Sequence, residues 1–168
     1  EALPSTIDLS ALDELSYLDL SFNNIESLIL PTNPEKLTFL QVASNPLTSL
    51  DITKCINLQQ LNVGLTQVVL DPKVDYPELD TLTVSNHQVQ LNLQKMPKLS
   101  KLYGVNDAMH FSDITNPHPL TEVKGQTRLN LADKYFEDRQ GHIVNSFVTM
   151  PAYVNFSNDL QVSDVPSV

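Results

Sequence analysis

Residues 48–63 read Thr-Ser-Leu-Asp-Ile-Thr-Lys-Cys-Ile-Asn-Leu-Gln-Gln-Leu-Asn-Val. Two short apolar alternations stand in this stretch, Leu50 with Ile52 and Leu61 with Val63, joined by a polar turn-like segment and Leu58. Alternation at every second residue marks a strand that buries one face. Extended forward, the frame is Leu58, Leu61, Val63, Thr66 and Val68. It occurs upstream as Leu15, Leu18, Leu20, Asn23, Ile25 and again as Leu37, Leu40, Val42, Asn45, Leu47. Downstream it continues as Leu79, Leu82, Val84, His87, Val89 and, weaker, as Leu99, Leu102, Gly104, Asp107, Met109, with a degraded sixth unit at Leu120 and Val123. Units that start at 15, 37, 58, 79, 99 and 120 repeat about every 21 residues, the signature of stacked supersecondary units.

A second frame occupies the return half of each unit, some eight and six residues ahead of its first leucine. It comprises Ile7 and Leu9, Leu28 and Leu30, Leu50 and Ile52, and Leu91 and Leu93. It lapses once, where Asp71 and Lys73 stand before Leu79 with Val69, Leu70 and Val74 beside them. The return half is about ten residues long and rich in Pro, Thr, Ser and Asp, as in Leu30-Pro31-Thr32-Asn33-Pro34, which suits turns and extended chain better than helix. One such coil cannot bury its own apolar face, so a continuous core requires at least three coils stacked. Asn23 and Asn45 mark the exit from the strand, where a buried amide can pair backbone groups of neighbouring coils, and Thr66, His87 and Asp107 hold the same place later.

With these motifs the chain resembles the leucine-rich repeat family, in the 21-residue bacterial form common in exported proteins of Bacteroides-like organisms; residues 48–63 carry the likeness best. The resemblance implies a leucine-rich-repeat solenoid: a right-handed coil with a parallel concave sheet, strand-rich and nearly free of helix. It covers residues 1–128 as five to six coils. Only Leu129, Leu131 and Leu160 of the 26 leucines follow residue 120, so residues 129–168 are expected to be a short β-like C-terminal cap or the start of a further β domain. The resemblance also implies an extracellular or cell-surface location and a role in protein–protein interaction or adhesion.

Composition narrows the chemistry. Twenty acidic against ten basic side chains leave a net charge of −10, which repels phosphate backbones and anionic lipid, so no nucleic-acid partner is expected. No apolar run approaches the roughly 18 residues of a spanning helix, so no membrane insertion is expected in this segment. The single Cys55 makes no intramolecular disulfide and no CxxC pair. His87, His110, His118 and His142 form no helical pair and no HExxH motif, and four glycines leave little material for a phosphate cradle. The expectation is no catalytic residue, no metal and no cofactor. Asn155-Phe156-Ser157 matches the glycosylation pattern, at a frequency chance supplies in a chain with 14 asparagines.

What remains is a surface. In a leucine-rich repeat the residues flanking the strand leucines face out on the concave side. One row is Tyr17, Phe39, Gln60, Thr81, Lys101, extended by Glu122; the other is Asp19, Gln41, Asn62, Thr83, Tyr103, extended by Lys124; Phe22 joins from the end of the first strand. Exposed aromatics over rigid strands are the usual anchors of binding surfaces. The expected function is a non-catalytic binding module that presents this face to a protein ligand. The alternatives are a structural spacer or scaffold in a longer surface protein and a glycan-binding module, in which Tyr17, Phe39 and Tyr103 stack on sugar rings.

Overall fold

The computed structural model describes residues 3–105, Leu120 and the short strands between residues 110 and 162, with side chains described for residues 3–104 and Leu120. Its elements are β1 (Thr6–Asp8), β2 (Tyr17–Asp19), β3 (Ser27–Ile29), β4 (Phe39–Gln41), β5 (Gln60–Asn62), β6 (Thr81–Thr83), β7 (Gln90–Asn92), β8 (Lys101–Val105) and β9 (His110–Ser112). They continue as β10 (Glu122–Gly125), β11 (Arg128–Leu129), β12 (Tyr135–Glu137), β13 (Ile143–Asn145), β14 (Asn155–Phe156) and β15 (Gln161–Val162). Among the described residues the one helical piece is a short 3-10 turn at Leu93–Lys95.

The strands of the L-x-x-L-x-L motifs line up as one seven-stranded sheet in the order β14-β10-β8-β6-β5-β4-β2. Every pairing in it is parallel, and the partners fall one repeat apart: Leu18 on Leu40, Leu40 on Leu61, Leu61 on Leu82, Leu82 on Leu102, Leu102 on Val123. The molecule is a β-solenoid of stacked coils with about 21-residue spacing. The return halves make a second, interrupted ribbon: β1 pairs with β3, and β7, β9, β12 and β13 form a four-stranded sheet in which only β12–β13 is antiparallel. β14 lies beside β10, so the main sheet draws strands from both the 1–128 and the 129–168 segments.

The core lies between the two ribbons. Leu37, Leu40, Leu47, Leu79, Leu82, Val84, Leu93, Leu99 and Leu102 have no or almost no exposure, while Ile7, Leu9, Leu15, Leu18 and Leu20 of the first coil are half-buried, packed from one side only. Each fully buried leucine contributes roughly 1.5–3 kcal/mol, so the inner coils are held by a continuous leucine stack. Two turns of the i to i+3 type carry the chain from return half to strand. Cys55 N–H donates to Ile52 O and Leu58 N–H to Cys55 O, and the pair recurs at Leu93-Met96-Leu99.

Buried polar side chains close the corners. The Asn45 Nδ2 donates to the carbonyls of Leu20 at 2.9 Å and Val42 at 2.9 Å, and its Oδ1 accepts the Ile25 N–H at 3.0 Å, so one amide ties two coils. Thr66 Oγ1 donates to Val63 O and accepts from Val68 N–H, a shorter version of the same closure. The fourth coil departs from the sequence frame. His87 is exposed there, and buried Ser85 and Gln88 do the work instead. Ser85 Oγ donates to Val68 O at 2.8 Å; Gln88 Oε1 accepts Leu70 N–H at 2.8 Å while its Nε2 donates to Leu70 O at 3.1 Å. The reason is length: the repeat starting at Leu79 is one residue shorter, so the inward position falls on Gln88 and Val89 turns out, 54% exposed. The return lapse at Asp71 and Lys73 resolves the same way, because Leu70 and Tyr76 are buried in place of the displaced frame. Asp107 lies outside the described residues.

Leu82→Ala is expected to cost about 2–5 kcal/mol in denaturant unfolding, as a cavity in the stack shared by two neighbouring coils, while Gln60→Ala on the outward face of the same sheet stays within about 0.5 kcal/mol. Asn45→Ala is expected to cost about 2–3 kcal/mol, because the buried Ile25 N–H and Val42 carbonyl lose their side-chain partner, while the Leu20 carbonyl keeps Asn23 Nδ2. An Asn45→Ala protein that unfolds at the parent denaturant midpoint contradicts the closure role.

Candidate functional site

The register that builds the core also builds the surface. Because side chains alternate across a strand, the residues on either side of each buried leucine face outward in two straight rows. The pairing sets Tyr17 against Phe39, Phe39 against Gln60, Gln60 against Thr81 and Thr81 against Lys101. It sets Asp19 against Gln41, Gln41 against Asn62, Asn62 against Thr83 and Thr83 against Tyr103. Ten of the eleven residues singled out from the sequence therefore share one face of one sheet. Tyr17, Asp19, Gln60 and Lys101 are exposed and the other six half-buried. The side chains of Glu122 and Lys124 lie outside the described residues, as do those of His110, His118 and His142.

At the β2 end, Tyr17 and Phe39 stack with ring centroids 4.1 Å apart and planes 4° from parallel. Tyr17 keeps 59% of its surface exposed with one ring face against Phe39. The middle of the rows is neutral: Gln41, Gln60, Asn62, Thr81 and Thr83, with Phe39 and Leu61, line a cleft of about 90 Å³. Asn62 Oδ1 accepts the Gly64 N–H at 2.9 Å, which fixes that side chain on the sheet. The cleft is far below the 300–1,000 Å³ of a small-molecule pocket, so this face offers contact area and hydrogen-bonding groups more than enclosure. Among the ten described row residues the charged ones are Asp19 on β2 and Lys101 on β8, separated by the neutral strands. The Ser21 backbone N–H, donated to Asp19 Oδ1 at 3.0 Å, holds the carboxyl below the usual carboxylate range.

Phe22 stands apart from the ten. It follows β2 with φ 58° and is 82% exposed. Ser44 and Leu65 occupy the equivalent corner of the next two coils at φ 56° and 54°, and Leu65 is 63% exposed. Each immediately precedes a corner-closing residue, Asn23, Asn45 or Thr66. This left-handed region is unfavourable for bulky side chains, and nothing in residue type flagged it: a glycine or asparagine there would have, whereas Phe and Leu do not. Leu65 is the neighbour that sequence reasoning missed. It lines a shallow recess with Ser44, Asn45, Pro46, Thr66, Gln67, Asn86 and His87.

Other reactive groups lie off this face. Cys55 is 3% exposed in the core, and burial pushes its thiol up to about 11. Burial likewise drives the Tyr76 phenol above its ordinary range. Among the described residues no group of three His, Cys, Asp or Glu side chains is placed to hold a metal ion, and no helix is long and apolar enough to cross a membrane. The chain matches no protein-family model and no curated protein sequence at a significant level.

The buried thiol sets a pH dependence. The unfolded chain ionises Cys55 near pH 9 and the folded chain near 11, so the folded state holds the neutral form. The stability from Cys55 is therefore fully present below about pH 9 and falls as pH rises from about 9 to about 11. Cys55→Ala should flatten that part of the stability profile. Maleimide should label Cys55 at pH 7.5 only after denaturant is added; rapid labelling of the native protein would show the thiol exposed.

Proposed function

We propose that the chain is a non-catalytic binding module of the leucine-rich repeat type, exported or displayed at a cell surface, whose outward sheet face recognises a protein partner. The observation that carries this reading is the stacked Tyr17–Phe39 pair, held flat on an all-parallel sheet at the end of an ordered row of carboxamides and hydroxyls. A folded chain usually hides such a pair. Left exposed on strands whose positions are fixed by the core, it supplies large contact area with little conformational entropy to lose, which is how aromatic anchors dominate interfaces. The absence of charge along the middle of the rows suits a partner whose main-chain amides and neutral side chains pair with Gln41, Gln60 and Asn62. The non-catalytic part of the reading is supported by where the titratable groups lie. Among the ten described row residues the charged ones, Asp19 and Lys101, stand on strands β2 and β8, with β4, β5 and β6 between them. Cys55 is sealed in the core.

A glycan ligand is a second reading, favoured by the exposed Tyr17 beside hydroxyl-matching carboxamides. Capture from cell-envelope and host extracts on the immobilised protein, followed by protease or glycosidase treatment of the eluate, separates the two. Tyr17→Ala with Phe39→Ala is expected to weaken capture by at least roughly 30-fold, the loss of about 2 kcal/mol from a hot spot, with the melting curve nearly unchanged. Retention of the same partners by the double variant would refute this face as the site and leave a spacer role.

A further inference from the structure

The corners of the second, third and fourth coils stack one repeat apart, and their residues 44–46, 65–67 and 86–87 line a recess of about 450 Å³ at the exit of the strands. We infer that this recess, separate from the outward sheet face, is a binding site for an uncharged hexose ring: Ser44, Gln67 and His87 pair with its hydroxyls while Leu65 packs against its C–H face. The volume lies within the roughly 300–1,000 Å³ of small-molecule sites, unlike the cleft between the strand rows. Three coils at about 4.8 Å spacing span roughly 10 Å, room for one ring but not for a peptide strand of five or six residues, about 17–20 Å long.

The floor is formed in advance. Asn45 and Thr66 are buried there with their polar atoms committed to backbone groups, and the Gln67 N–H donates to Leu47 O at 2.9 Å. The side chains of Ser44, Gln67 and His87, which also line the recess, make no hydrogen bond among the described residues; only the His87 backbone N–H is engaged, by Ser85 Oγ at 3.3 Å. A hydroxyl, a carboxamide and a neutral imidazole each offer both a donor and an acceptor, as every sugar hydroxyl does, so the two sets satisfy one another. Charge narrows the ligand. Although the chain has twenty acidic and ten basic side chains, none of the described residues lining the recess is Asp, Glu, Lys or Arg, so nothing there balances a charged ligand stripped of water. The apolar wall is Leu65, beside exposed Pro46. Leu65 is held at φ 54° yet 63% exposed, so packing within the fold does not offset the cost of its left-handed backbone. A C–H face laid on that side chain does, by taking apolar surface out of water.

The probes are the methyl glycosides of glucose, galactose, mannose and N-acetylglucosamine, titrated into isotopically labelled full chain and followed by the Leu65 methyl, Gln67 side-chain amide and His87 ring resonances. At least one glycoside is expected to move all three sets along a single saturation curve. Methyl glucuronide, a similar ring bearing a carboxylate, and N-acetyl-triglycine amide, a neutral peptide, serve as comparisons and should leave them still. Leu65→Gly removes the wall at a backbone angle that glycine adopts freely, so the chain stays folded while the glycoside binds roughly fivefold more weakly or worse. Gln67→Ala should weaken it by a similar factor. No response to any of the four glycosides, an equal response to the glucuronide or the peptide, or unchanged binding by Leu65→Gly would overturn the site. Shifts confined to Tyr17 and Phe39 would overturn it too, by moving the saccharide to the sheet face; loss of partner capture at that face leaves the recess untouched.

Discussion

Parallel backbone pairing between successive coils is the interaction on which everything else in this molecule rests. A coil of about 21 residues has an inner row of leucines and no layer of its own to bury them against. Laying the next coil on it in register solves two problems at once: strand amides find partners, and each leucine meets its counterpart one repeat away. Leu40, Leu61, Leu82 and Leu102 are successive Cα partners on adjacent strands and each is almost completely buried. Neither effect suffices alone. A slip by one residue would put Gln60 and Thr81 in the core and Leu61 and Leu82 in water, so burial enforces the register as strongly as the hydrogen bonds do.

The same constraint makes the corners the places where the sequence varies. Strand positions tolerate little because every coil must present an apolar residue at the same height. Where the chain leaves the strand, backbone groups stop matching their neighbours and buried side chains must take their place. Asn45 does so with three carbonyls and one N–H; Thr66 does so with one hydroxyl; in the shortened fourth coil Ser85 and Gln88 divide the task. Gln88 pairs with both the N–H and the C=O of Leu70, as a neighbouring strand would, at a level where the return ribbon has no strand pairing. One residue of length is thereby absorbed without disturbing the main sheet.

Function, on the reading proposed above, is written on what the register leaves over. The outward rows are free of packing duties, so their residue types can follow a partner. Their spacing cannot change, being that of the strands. Tyr17 and Phe39 illustrate the coupling: they stand 22 residues apart in sequence yet stack because Leu18 and Leu40 beneath them are partners in the sheet.

Repeat period, strand positions, the inward leucines and the membership of both outward rows were legible in the sequence, because each depends only on local alternation and a constant spacing. Even the step lengths between units survive in the strands, which begin at Tyr17, Phe39, Gln60, Thr81, Lys101 and Glu122. Three things were decided only in the folded chain. The burial of Gln88 in place of His87 follows from how a shorter coil meets its neighbours, which no single unit reveals. The left-handed corners at Phe22, Ser44 and Leu65 are imposed by the turn into the return half, against the preference of the residues that occupy them. The face-to-face contact of Tyr17 with Phe39 required the strands to be adjacent before either ring had a partner. In each case the deciding interaction runs between residues about one coil apart, and local preference carries no information about it.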